Sequence, residues 1–172
     1  MATYSLIQSI TLSSGGASSI EFTNIPQNYT DLLLSISARN DFSGSDATRV
    51  LLRFNGATSD ANQTFLRLAG DGSTVFADTG SEGHVAWMNQ NGSTANTFSN
   101  VEVYIPKYAG SEQKSYSAVG GNERNVTSTA YFGFFANVWT STSAINAIKI
   151  LSGSSYNLVQ YSSVYLYGIS NA

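Results

Sequence analysis

From residue 32 to residue 39 the chain alternates. Leu32, Leu34, Ile36 and Ala38 fall on one face, with Leu33, Ser35, Ser37 and Arg39 on the other. A two-residue period marks a strand packed on one side and wet on the other. A shorter strand precedes it, and the turn between them falls around Pro26 and Asn28. The same period recurs in residues 48–55, with Val50, Leu52 and Phe54 opposite Arg49, Leu51 and Arg53. It recurs again in residues 100–106, with Val101, Val103 and Ile105 inward and Glu102 and Tyr104 outward.

Further strands are expected at 4–12, 19–23, 64–69, 84–88, 114–120, 129–139, 144–151 and 162–169, separated by Gly, Asn, Asp and Ser clusters. Residues 70–73, Gly-Asp-Gly-Ser, read as a hairpin turn. Residues 40–47, 78–83 and 89–96 read as loops. Residues 144–151 also fit a helical stripe, but Ile145, Ile148 and Ile150 are β-branched and favour a strand. About ten short strands with turns every 8–14 residues predict an antiparallel β-sandwich, jelly-roll-like, with little or no helix. The 172 residues suit a single domain.

Charged residues make up 11% of the chain, against roughly 25% in an average globular protein. Solubility therefore rests on Ser, Thr, Asn and Gly, which suits a life against other proteins or glycans. Arg39, Arg49, Arg53 and Arg67 are dispersed, so nucleic acid is not an expected partner. No apolar run approaches the roughly 20 residues of a membrane span, and the first ten residues lack the charged start of a signal peptide. There is no cysteine, hence no disulfide and no thiolate metal site.

Chemistry-bearing residues do not assemble into a motif. His84 is the only histidine, without a nucleophile elbow or an orienting acid beside it, and reads as a surface or loop residue. Glu21, Asp31, Glu82 and Glu102 are singletons rather than a glycosidase pair. Asp41, Asp46, Asp60, Asp71 and Asp78 lack a calcium-loop spacing, and Gly70, Gly72, Gly80 and Gly83 lack the lysine and helix of a phosphate loop. No cofactor is expected. Sequons stand at Asn28, Asn62, Asn91 and Asn125, as chance provides in so polar a chain. Phe132, Phe134, Phe135 and Trp139 read as core. Trp87 and Tyr108, beside Gly- and Asn-rich loops, read as exposed contact residues. Residues 4–12 carry no charge; Leu6, Ile10 and Leu12 are expected on one face. With Tyr4 they form a candidate interface that either completes the sandwich or joins a neighbouring subunit.

Five segments together resemble a family of small virion structural proteins of tailed bacteriophages. They are residues 20–34, Ile-Glu-Phe-Thr-Asn-Ile-Pro-Gln-Asn-Tyr-Thr-Asp-Leu-Leu-Leu; residues 52–56, Leu-Arg-Phe-Asn-Gly; residues 103–110, Val-Tyr-Ile-Pro-Lys-Tyr-Ala-Gly; Ala144 and Ile145; and residues 164–169, Val-Tyr-Leu-Tyr-Gly-Ile. The family's Asn-Gly-Asp-Thr turn stands here as Asn55-Gly-Ala-Thr58. The resemblance implies a jelly-roll sandwich without enzymatic activity. Such a protein is assembled in the host cytoplasm and carried on the virion as a capsid decoration or cement protein, a head fibre or a tail-fibre part. By analogy it implies a homotrimer bound to the major capsid protein or another virion protein. The alternative is a fibre module that binds host surface glycans. A third reading, a glycan-cleaving enzyme, would need the carboxylate pair that the spacing does not supply.

Overall fold

The computed structural model describes residues 1–44, 47–122 and 130–170. Asp46, the Asn125 sequon and Thr129, the expected start of a strand, lie outside the described residues. Twelve strands follow one another: β1 (Thr3–Thr11), β2 (Ser19–Phe22), β3 (Asp31–Asn40), β4 (Thr48–Phe54), β5 (Gln63–Gly70), β6 (Val75–Gly80), β7 (His84–Gln90), β8 (Ser99–Pro106), β9 (Lys114–Asn122), β10 (Tyr131–Trp139), β11 (Ile148–Ser152) and β12 (Ser163–Ser170). A single 3₁₀ turn, Gly153–Ser155, is the helical structure among the described residues. The all-β sandwich expected from the alternation is present. Residues 144–147 are loop rather than strand, and 78–80 and 89–90 are strand rather than loop.

The large sheet runs β1-β12-β3-β8-β9-β10-β5-β6, and the small one β2-β11-β4-β7. Among the described residues the pairings are antiparallel except a two-residue parallel join of β3 to β7, Arg39 to Asn89 and Asn40 to Gln90. Leu32, Leu34, Leu52, Val103, Ile148, Ile150 and Leu166 are fully buried between the sheets. The inward faces read in β3, β4 and β8 are the observed ones. Every residue of β7 is buried, because β7 packs over β9 and β10 while pairing with β4.

The five family-like segments, far apart in sequence, meet at one end of the sandwich. Asp31 accepts hydrogen bonds from the Tyr104 hydroxyl at 2.8 Å and the Lys107 N–H at 2.9 Å. Gln27 Nε2 donates to the Ile145 carbonyl at 3.0 Å, and the Tyr108 hydroxyl to the Pro26 carbonyl. The Tyr29 ring lies where any side chain at position 168 would stand, which explains Gly168. Asn55 and Gly56 take φ of 53° and 73°, a turn closed by the Ala57 N–H on the Phe54 carbonyl at 3.1 Å. From that turn Asn55 donates to the Ala144 carbonyl at 2.8 Å and accepts from the Asn146 and Ala147 N–H groups at 2.9 and 3.2 Å. These residues spend their polar groups on one another, so the five segments specify an architecture. Asn55→Ala loses three hydrogen bonds and strains φ, and is expected to cost about 1–2 kcal/mol in urea unfolding.

Candidate functional site

The two outer faces of the sandwich differ in kind. On the small sheet the exposed side is charged: Glu21 pairs with Lys149 at 3.3 Å, Arg53 with Asp60 at 2.9 Å, and Arg49 with Glu82 at 2.7 Å. On the large sheet the register aligns Leu33, Tyr104, Ser117, Ala136, Leu66 and Thr79 in one cross-strand row. The next row is Ser35, Glu102, Val119, Phe134, Leu68 and Ala77. Glu102 is the one charge in these two rows. Asp31 and Arg39, at the ends of β3, are tied down by hydrogen bonds.

This face leaves large apolar side chains in solvent: Leu66 and Leu68 on β5, Phe132 and Phe134 on β10, and Val75 on β6. Tyr104, Tyr165, Tyr4 and Leu6 continue it across β8, β12 and β1. Together they expose on the order of 1,000 Å² of mostly apolar side chain, taking large side chains at roughly 150–250 Å² each. Monomers seldom leave so much uncovered. Hollows of 720 and 330 Å³ lie open on the β5-β10 region of the same face. Phe132 and Phe134, expected in the core, point outward because the alternation of β10 turns Phe135, Asn137 and Trp139 inward instead.

The sequence-level contact residues fare differently from one another. Trp87 is 7% exposed and Tyr108 is fully buried, so neither is a surface platform. Trp87 stacks on Tyr131 at 5.0 Å, and the missing side chain of Gly133 makes room for its ring. Tyr108 closes the end of the core over residues 25–29. On β1 a bulge between Leu6 and Gln8 reverses the expected facing. Tyr4 and Leu6 lie on the outer face at 62% and 54% exposure, while Ile10 packs against the core. β1 pairs with β12 of its own chain, so it completes the sheet.

His84, expected on the surface, is fully buried at the start of β7. Its Nε2 lies 3.0 Å from the Ala86 carbonyl, and its Nδ1 3.2 Å from Arg67 Nη1. A carbonyl only accepts and a guanidinium only donates, so the ring is neutral with its proton on Nε2. Burial, with the nearby charges of Arg67 and Arg49, pushes His84 down to about 3. Arg67 is paired with Asp78 at 2.6 Å and stands 4.8 Å from the Trp87 ring centroid and 5.4 Å from those of Phe65 and Phe76. The cluster has every hydrogen-bonding role of the imidazole filled, with no base position open toward a nucleophile. Sequence reasoning missed it; the available signal was Arg67 at an inward position of β5, between Phe65 and Ala69.

Among the described residues no group of three or more His, Cys, Asp or Glu side chains is placed to hold a metal ion. No helix of the described residues is long and apolar enough to cross a membrane. Compared with known proteins, the chain matches no family model, no curated protein and no solved structure.

Proposed function

We propose that this chain is a non-enzymatic structural protein of a phage virion, a decoration or cement subunit that works by covering surface. The observation that carries the reading is the large sheet's outer face, broad, apolar and nearly free of charge. Such a face suits permanent contact with protein. The resemblance of the five ordered segments to phage virion proteins supplies the setting. The test is the number of copies per purified particle, by quantitative mass spectrometry against the major shell protein. A ratio near one, or a simple fraction set by shell symmetry, supports decoration or cement. A handful of copies moves the protein to a fibre, and absence from particles removes the virion reading.

A second reading, host glycan recognition, is favoured by one place. Tyr161 is 66% exposed and held at φ 70°, a strained setting for a bulky residue. It borders a hollow of 270 Å³ lined also by Arg39, Asn91, Asn96 and Gln160. The Arg39 guanidinium is held by the carbonyls of Ser93, Thr94 and Thr97 and the Thr97 hydroxyl. An exposed ring beside amides is a sugar-stacking arrangement. On this reading Tyr161→Ala lowers particle attachment to host cells several-fold with particle yield unchanged. Equal attachment by the variant leaves the structural reading alone.

A further inference from the structure

The two halves of the large sheet's outer face are chemically distinct. Toward β1 and β12 it is mostly tyrosine and serine, side chains that water tolerates, with Leu6 exposed at the edge. Toward β10, β5 and β6 it is Leu66, Leu68, Val75, Phe132 and Phe134, exposed by 53–75% and lacking any side-chain polar group. Glycans need donors and acceptors; the protruding residues of this half carry none, and its hydroxyls are confined to the floor of a hollow. The face complements apolar protein.

Its relief has both a projection and a hollow. Phe132 and Phe134 pack edge to face at 5.4 Å and form a knob. Two residues further along β10, Ala136 sits between Ser117 and Leu66. There the small side chains Ala136, Ser115, Ser117, Thr64 and Thr79 floor the 720 Å³ hollow. Knob and hollow lie side by side on the same strands. Rotating one copy onto another can therefore seat the knob of each in the hollow of its neighbour, the self-complementarity that closed symmetric oligomers require. The five protruding residues expose on the order of 600 Å². The Ala, Val and Ser surface between them brings that close to the roughly 800 Å² that each partner of a stable interface contributes. Among the described residues, Glu102, the one charge in the two rows above, lies on β8, two strands away from β10.

We propose that the β10-β5-β6 half of this face is the self-association surface, occupied by a second copy of the chain. The proposal draws on the same face as the virion reading but is tested on the purified protein alone. It places the interface on β10, β5 and β6 rather than on β1, one edge of which pairs with β12.

The test is the mass of the purified chain by light scattering after size exclusion, from 1 to 100 µM, for three proteins. The unaltered chain is expected at a multiple of 18.3 kDa. Leu66→Glu with Phe134→Glu is expected at the mass of one copy, with unchanged far-ultraviolet circular dichroism. Tyr4→Ser, on the β1 edge of the same face, is expected to keep the full mass. A single-copy mass for the unaltered chain overturns the proposal, as does a double variant that stays associated. Should the double variant unfold, the absence of native cysteine supplies a second measurement. A mixture of Phe134→Cys and Ser117→Cys chains, treated with a short bismaleimide, should crosslink severalfold more than either chain alone. Equal crosslinking in all three samples overturns the knob-in-hollow arrangement.

Discussion

Replacing Trp87 with alanine is expected to lower the melting temperature by on the order of 10 °C, corresponding to about 3–5 kcal/mol. The ring is stacked on Tyr131 and touches Phe76, His84 and Phe135 at centroid distances of 6.0, 5.3 and 5.5 Å. It also faces the Arg67 guanidinium, so its removal opens a cavity and weakens the setting of a cation at once. Urea unfolding is the measurement: the midpoint should fall while the slope with denaturant stays the same. A surface contact residue would behave oppositely, with stability untouched and only binding changed. An unaltered midpoint would return Trp87 to that role.

The second large effect is a loss of stability in acid that passes through one residue. In the folded chain His84 is held at about 3, while in the unfolded chain it titrates near its ordinary value of 6.5. Between these values the unfolded state binds the proton and the folded state refuses it, so stability rises with pH over that window. Its contribution is complete above pH 6.5 and is lost as the pH falls toward 3, by roughly 4–5 kcal/mol over the span. Protonating Nδ1 would set a second donor against Arg67 Nη1, the structural counterpart of that loss. His84→Gln can still donate to Ala86 and accept from Arg67 without titrating. Its unfolding free energy between pH 6.5 and 4 should therefore be flatter than that of the unaltered chain. Identical slopes would place the acid sensitivity elsewhere, on the carboxylates.

How much of this was legible depended on whether a strand carried one apolar face or two. In β3, β4 and β8 a polar residue stands at nearly every second position, so the phase of the alternation assigned the core correctly. In β5 and β10 both faces are apolar. Leu66 and Leu68 compete with Phe65, Arg67 and Ala69 for the interior, and the sequence places the leucines there as readily as the arginine. Tertiary contacts reversed the choice: Arg67 finds Asp78, three aromatic rings and His84 inside, which no outward position offers. Expelling Leu66, Leu68, Phe132 and Phe134 is the consequence, and with it the surface from which self-association is argued.

His84 and Trp87 were misplaced for a related reason. Their neighbours in sequence are Gly- and Asn-rich, which suggests exposure, yet β7 is buried by β9, β10 and the side chains of β5, all distant in the chain. On β1 the bulge at Ile7 lies in a run of Ser, Leu, Ile and Gln that gives no sign of an extra residue. By itself, then, the sequence determined that this chain is an all-β sandwich, which strands form its central core, and that few charges defend its surface. These follow from side-chain period and composition, which are local. The tertiary structure alone decided which apolar residues were left outside, where the histidine was buried and where β1 was spent. Those depend on the order of strands across a sheet, where a residue's surroundings come from parts of the chain that its own neighbours do not encode.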